Sequence, residues 1–256
     1  MVRITHISDT HSLHEHLAPR LHGGDILLHT GDISNIGEKD EVEAFVDWLS
    51  RQPYDHKVFI AGNHDLCFQS ERMLMVKWDW HRNSVMYDKS AYNDLPDDPP
   101  SWTKALISAL PPGVTYLQET GTEACGLKIW GSPASPAFGR MWAFNHTPLT
   151  IAAVWEKIPG DTDILMTHTP PFGYGDMTWR GQRAGCELLT HKLREIAPAL
   201  HLCGHIHEGH GFRLMGEERE TATLNSALQG YDQDMPPQHV TMTEEGGIYR
   251  VSLSST

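Results

Sequence analysis

Asp, His and Asn side chains recur in five short blocks along the chain: Asp9-Thr10-His11, Gly31-Asp32, Gly62-Asn63-His64-Asp65, His168 and Gly204-His205-Ile206-His207. Carboxylate oxygens, imidazole nitrogens and an amide carbonyl are donors that suit Mn²⁺, Fe²⁺ or Zn²⁺. Two such ions close together form a centre for cleaving phosphate esters. Paired cations repel, so an anionic ligand has to lie between them. Asp32 is the candidate bridge, because it follows an apolar run and a glycine that permits a sharp turn. One ion could take Asp9, His11, Asp32 and His207; the other could take Asp32, Asn63, His168 and His205. Asp9 and His11 are two residues apart, as are His205 and His207, so each pair points one way if strand geometry persists through it.

The charges also balance in favour of an anionic substrate. Against two divalent ions, Asp9, Asp32 and one hydroxide leave a single net positive charge. A water shared by two ions ionises near neutral pH, since one zinc ion alone brings its water to a pKa of about 7. That hydroxide is placed to attack phosphorus in line. His64, beside Asn63, would reach the substrate and protonate the departing alkoxide. Asp65 would hold its imidazole in one orientation. No Ser or Cys sits in a nucleophile motif, which fits direct attack without a covalent intermediate. Taken singly the blocks are weak: D-x-H arises by chance, G-N-H-D reads as a turn, and a lone His168 reads as a core or surface histidine. Their number, order and shared setting carry the argument.

That setting is the ends of strands. Apolar, partly β-branched runs precede the blocks and read as buried strands at 2–7, 25–29, 57–60, 127–130, 163–167 and 200–203. Segments around 212–214, 221–224, 240–243 and 248–253 also read as extended and are expected to complete a second sheet. Helical periodicity is clearest at 39–49, where Val42, Phe45, Val46 and Leu49 make one apolar stripe. Further helices are expected at 149–157, bounded by Pro148 and Pro159-Gly160, and at 186–196, ending before Pro198. Strands alternating with helices indicate an α/β class, with a second sheet packed beside the first. The whole of 1–256 reads as a single domain. An irregular excursion covers about 69–112, with short helices at 72–80 and 102–110 around a loop at 93–100.

Composition narrows the partners. A net charge of −13 argues against bulk nucleic acid or an acidic membrane. It does not repel a small phosphoester, because a bound metal pair sets the local field. Cys67, Cys125, Cys186 and Cys203 form no C-x-x-C pair and read as reduced, mostly buried thiols. The first strand starts almost at once and no apolar stretch approaches membrane-spanning length, so the expected location is the cytoplasm. Oligomeric state is not legible.

In this order the blocks resemble the pattern of the calcineurin-like metallophosphoesterase superfamily: D-x-H, G-D, G-N-H-[DE], H and G-H-x-H. The likeness runs from Ile4 to Asn225. Within the superfamily the chain is most similar to the metallophosphoesterase-domain-containing branch. Ile7-Ser8-Asp9-Thr10-His11-Ser12, Ile60-Ala61-Gly62-Asn63-His64-Asp65-Leu66 and Gly131-Ser132-Pro133 carry that similarity, with the stretch from Asp163 to Pro171 and Gly204-His205-Ile206-His207-Glu208-Gly209. The resemblance implies an α/β fold of two mixed β-sheets packed as a sandwich and flanked by helices. It implies Asp9, His11, Asp32, Asn63, His168, His205 and His207 as ligands of two divalent ions, with His64 and Asp65 as the catalytic pair. Some members of the branch lack a ligand histidine in the last block; here both His205 and His207 are present. Substrates implied are phosphodiesters, cyclic nucleotides among them, more than phosphoproteins.

Mn²⁺ leads the candidate cofactors, followed by Fe²⁺ or Fe³⁺, Zn²⁺ and Mg²⁺. The alternatives to a phosphodiesterase are a phosphomonoesterase or Ser/Thr protein phosphatase on the same metals, and a nucleotide-binding protein with weak activity. Arg183 precedes a helix and could fork a phosphate at the mouth of the site, and His210 follows the last block closely enough to assist it. Arg140, Trp142 and Phe144 could wall a base or aryl group, or pack the core. His6 and His29 lie on expected strands and read as satisfied interior histidines.

Overall fold

The computed structural model describes residues 1–83, 94–139, 141–216, 220–228 and 235–253. In chain order its strands begin β1 (Val2–Ile7), β2 (Gly24–Thr30), β3 (Tyr54–Ile60), β4 (Val114–Tyr116), β5 (Thr120–Ala124), β6 (Leu127–Ser132) and β7 (Ser135–Pro136). They continue with β8 (Asn145–His146), β9 (Ile164–Thr167), β10 (Leu200–Cys203), β11 (Gly211–Met215), β12 (Thr221–Asn225), β13 (Gln238–Glu245) and β14 (Ile248–Leu253). The helices are α1 (Lys39–Ser50), α2 (Glu71–Asn83), α3 (Ser101–Ser108), α4 (Pro148–Trp155) and α5 (Glu187–Ile196).

Alternation along the central strands decides the layers. In β2, Ile26 and Leu28 enter one core while Leu27 enters another; in β3, Val58 and Ile60 part from Phe59 in the same way. Strands buried on both faces need a layer on each side. One sheet runs β14-β13-β1-β2-β3-β4 and the other β11-β12-β10-β9-β6-β5. Ile4, Ile26, Val58 and Ile60 of the first meet Ile129, Ile164, Met166, Leu202 and Leu224 of the second. The outer face of the first sheet is covered by Val42, Phe45, Val46 and Leu49 of α1, and that of the second by α4 and α5 through Trp155, Leu189 and Leu193. The result is two mixed sheets packed as a sandwich and flanked by helices. β1 to β4 are mutually parallel, as are β6, β9, β10 and β12.

The expectation that all late strands join the second sheet holds for β11 and β12 and fails for β13 and β14. That hairpin returns to the first sheet and pairs antiparallel with β1, Val2 opposite Met242 and Ile4 opposite Val240. Without it β1 would be an unpaired edge, and Val240 and Met242 complete the core between the sheets. The excursion holds α2 and α3; the first residue of its expected loop, Asn93, lies outside the described residues. No described helix is long and apolar enough to cross a membrane. All four cysteines are free thiols, Cys125 exposed and the other three buried.

Candidate metal centre

The blocks meet where the parallel strands end. Asp9 follows β1, Asp32 follows β2, Asn63 follows β3, His168 follows β9 and His205 follows β10. Side chains at carboxyl ends of parallel strands are presented to a common crevice. Three groups form there: Asp9, His11 and His207; His11, Asp32 and His64; and Asp32, His168 and His205, with candidate donor atoms within 4.8 Å of one another in each. Asp32 belongs to two of them. Its Oδ2 lies 3.8 Å from His11 Nε2 and 3.4 Å from His168 Nε2, and its Oδ1 accepts the His64 N–H at 2.8 Å. Asp9 Oδ1 lies 3.3 Å from His207 Nε2.

The ligand pairs do not align by strand alternation as their spacing suggested. Asp9, His11, Asp32 and His205 have φ of 55, 41, 54 and 68°, so each points out of a left-handed turn beyond its strand. Such conformations cost about 1–2 kcal/mol per non-glycine residue and persist only where the surroundings enforce them. Here the turns are tied together: Asp9 N–H donates to Gly31 O at 2.9 Å and His11 N–H to Asp32 O at 3.0 Å. The motif glycines leave room for the ligands themselves. A Cβ on Gly204 would overlap Ser8 Oγ and Asp9 Oδ2, and one on Gly62 would overlap Asp32 and lie 2.7 Å from His168 Cε1.

Backbone carbonyls orient the rings. His11 Nδ1 lies 3.2 Å from Ser34 O, His168 Nδ1 2.9 Å from Thr30 O and His64 Nδ1 2.7 Å from Asn35 O. With Nδ1–H donating, each Nε2 presents a lone pair to the cluster, the arrangement metal-ligating histidines use. In the neutral form a metal ligand takes, His168 Nε2 and Asn63 Oδ1, 2.9 Å apart, would both be acceptors. Neighbouring ligands about 2.1 Å from one ion sit roughly 3.0 Å apart at right angles, so this pair suits a shared cation.

The titration behaviour agrees. Burial alone would raise Asp9 and Asp32, yet the neighbouring histidines, His207 for Asp9 and His168 for Asp32, hold both well below the usual carboxylate range. Burial would lower His168, but Asp32 beside it outweighs that and brings it to about 9. His205, its ring centroid 4.9 Å away, is pushed down to about 3 by burial and by His168. Two buried carboxylates draw in positive charge that adjacent imidazoles cannot all carry as protons. Divalent cations supply that charge without protonating the ligands. The donor set therefore fits metal.

Asp65 does not orient His64. Its carboxylate accepts from Ile33 N at 3.2 Å, Ser34 N at 3.0 Å, Ser34 Oγ at 2.5 Å and Gly62 N at 2.8 Å, joining the loops after β2 and β3. Burial and the nearby Asp32 charge raise its pKa to about 7. The Asn35 carbonyl positions His64 instead, and Glu41 positions Asn35. The Glu41 carboxylate gathers the N–H groups of Asn35, Ile36, Gly37 and Glu38. Sequence reading passed over Glu41, although Glu at the third position of α1 is a capping-box signal.

The secondary candidates scatter. Arg183 Nη1 pairs with the buried Asp176 at 2.7 Å, and His210 Nε2 lies 3.2 Å from Pro236 O, so each has a partner outside the three clusters. Arg140 lies outside the described residues. Phe144 is buried in the α1 core rather than lining a wall. Trp142 does reach the site, its ring centroid 4.4 Å from that of His64. Phe138, which no sequence pattern marked, stands 4.9 Å from the His205 ring. His6 is satisfied by Thr30 Oγ1 and Ser226 Oγ, and His29 by Thr10 Oγ1 and Gly31 N.

Comparison with known proteins bears on the family and the fold. A model of the calcineurin-like phosphoesterase family matches residues 2–209. Metallophosphoesterase domain-containing protein 1 of Homo sapiens is 37% identical over 218 residues, 84% of this chain and 63% of the human protein. The chain thus spans less than two thirds of that relative's length. A UPF0046 protein of Caenorhabditis elegans is 36% identical over 232 residues, 89% of this chain and 75% of its own. Among solved structures, TT1561 of Thermus thermophilus shares the fold, with a TM-score of 0.53, 16% identity and 88% of both chains covered.

Proposed function

The chain belongs to the calcineurin-like phosphoesterase family, and from that premise we propose that it hydrolyses phosphodiesters with two divalent ions. Asp9, His11, Asp32 and His207 would hold one ion, and Asp32, Asn63, His168 and His205 the other. The observation that carries this reading is the place of Asp32, whose carboxylate lies between two sets of ligand atoms. When bound, such a pair supplies Lewis acidity to the phosphoryl oxygens and lowers the pKa of the attacking water.

The protein's own residues do the rest. The His64 Nδ1–H is engaged by the Asn35 carbonyl, so Nε2 faces the cluster, and the doubly protonated imidazolium can pass its Nε2 proton to the departing oxygen. The three clusters contain two carboxylates, Asp9 and Asp32. With two divalent ions and a deprotonated water, one positive charge is left, which complements a monoanionic diester better than a dianionic monoester. Mn²⁺ is the ion to load first, given the oxygen and imidazole donors.

The test combines metal analysis with paired rates. Manganese-loaded protein should cleave an aryl diester faster than the matching aryl monoester; the reverse order would sink the diester preference. Asp32→Ala should lose both ions and nearly all activity. Full metal stoichiometry in that variant would contradict the bridging role.

A further inference from the structure

We propose that Phe138, backed by Trp142, is a stacking surface for a planar aromatic group on the phosphoester. This rests on the phosphoester reading of the metal centre and adds to it the part of the substrate beyond phosphorus. Phe138 and Trp142 each stand against a histidine of the centre. Phe138 stands against His205, with centroids 4.9 Å apart, and Trp142 against His64, at 4.4 Å. The two aromatic rings are themselves 22° from parallel, with centroids 6.4 Å apart. They form a wall that runs from one candidate ion site to the histidine placed at the leaving group.

A lone exposed phenylalanine is ordinary on a protein surface. This one is 38% exposed and sits on a loop whose backbone is held by hydrogen bonds. The Phe138 carbonyl accepts from Asn145 Nδ2 at 2.9 Å. Just before it in the chain, Ser135 N–H donates to Phe144 O and Ala137 N–H to His146 O, both at 2.9 Å. Ala143 N–H donates to the carbonyl of the candidate ligand Asn63 at 3.0 Å, which ties the loop directly to the metal centre. Lys77 Nζ lies 3.7 Å from the Trp142 ring centroid and pins the indole. The ordering cost of the aromatic surface is therefore met in the folded protein, not at binding. An aromatic ring covering Phe138 would remove apolar area from water and gain the offset-stacked geometry such rings prefer. An alkyl ester of the same charge has no such partner.

Calorimetry on the manganese-loaded protein tests this with ligands that separate the ring from the phosphoryl group. Phenylphosphonate is compared with methylphosphonate, neither of which has an ester bond to hydrolyse, and AMP is compared with ribose 5-phosphate. The aromatic member of at least one pair should bind about five- to a hundredfold more tightly, the range of a single base–aromatic stack. Phe138→Leu, which keeps apolar bulk at an exposed site, should bring that ratio close to one. Preference in the phenyl pair alone places the ring on the ester itself, and preference in the AMP pair alone places it a sugar away; either upholds the stacking surface. Equal affinity within both pairs, or a ratio unchanged by Phe138→Leu, overturns it while leaving the metal centre intact. If no member of either pair binds, it falls together with the phosphoester reading.

Discussion

Replacing Gly62 with alanine adds one methyl group where the site has least space. That Cβ would overlap the Asp32 carboxylate and backbone nitrogen and lie 2.7 Å from His168 Cε1. Carbon atoms in contact sit about 3.5–4.0 Å apart, so from 2.7 Å His168 must withdraw by roughly 0.8 Å, and Asp32 by more. Metal–ligand distances tolerate about 0.2 Å. Because Asp32 is shared between groups, the displacement reaches both candidate ions at once. Overpacking a buried site costs about 1–3 kcal/mol, which for a protein of this size lowers Tm by about 2–12 °C. The assay is metal content by emission spectrometry after manganese loading and desalting, with Tm measured on the metal-free protein. Gly62→Ala should retain far less than the wild-type complement and melt earlier. Gly160→Ala is the control, since a Cβ there meets nothing within 4 Å. A Gly62→Ala protein that binds both ions with wild-type affinity would refute the claim that this glycine is required by its approach to the ligands.

Other substitutions separate the remaining roles. His64→Ala should keep both ions and slow turnover by about 10²–10⁴-fold, the range of general acid catalysis, most for poor leaving groups; a Brønsted series with uniform slowing would exclude the acid role. Asp65→Ala strands the buried donors of Ile33, Ser34 and Gly62, each costing about 1–3 kcal/mol; chemical denaturation should show a large loss, and the leaving-group dependence of the residual activity should stay that of wild type. His201 is fully buried, and burial lowers its pKa to about 3. Its imidazole is neutral in the folded state while the unfolded chain takes up a proton below about 6.5. Stability attributable to His201 is thus intact above that pH and is lost as pH falls from about 6.5 towards 3, at about 1.4 kcal/mol per unit. Urea unfolding of the metal-free protein at pH 6 and pH 4.5 should show a shallower pH slope in His201→Leu than in wild type, and an identical slope would refute this.

The candidate ligand blocks were legible because their information is local. Asp9, Asp32, Asn63, His168 and His205 each follow an apolar run, and strands buried on both faces read as such runs wherever they pair. The α1 stripe was legible for the same reason: Val42, Phe45, Val46 and Leu49 recur at the helical period, and all four are buried against one sheet. β4 and β5 were missed, being three and five residues long with little apolar alternation.

What tertiary structure alone decided is non-local. The β13–β14 hairpin carries the same alternation as β11 and β12, and nothing within it says which sheet edge it will cover. Asp65 adjoins His64 in sequence, yet its hydrogen bonds go to donors about thirty residues away as well as to Gly62, because the turn after β3 sends these two neighbouring side chains in different directions. Phe138 gained its meaning from His205, sixty-seven positions further on. The sequence determined which donor atoms the chain offers and that strand ends present them; the packing of two sheets determined which of those atoms face one another, because only closure of the core fixes distances between segments the backbone does not join.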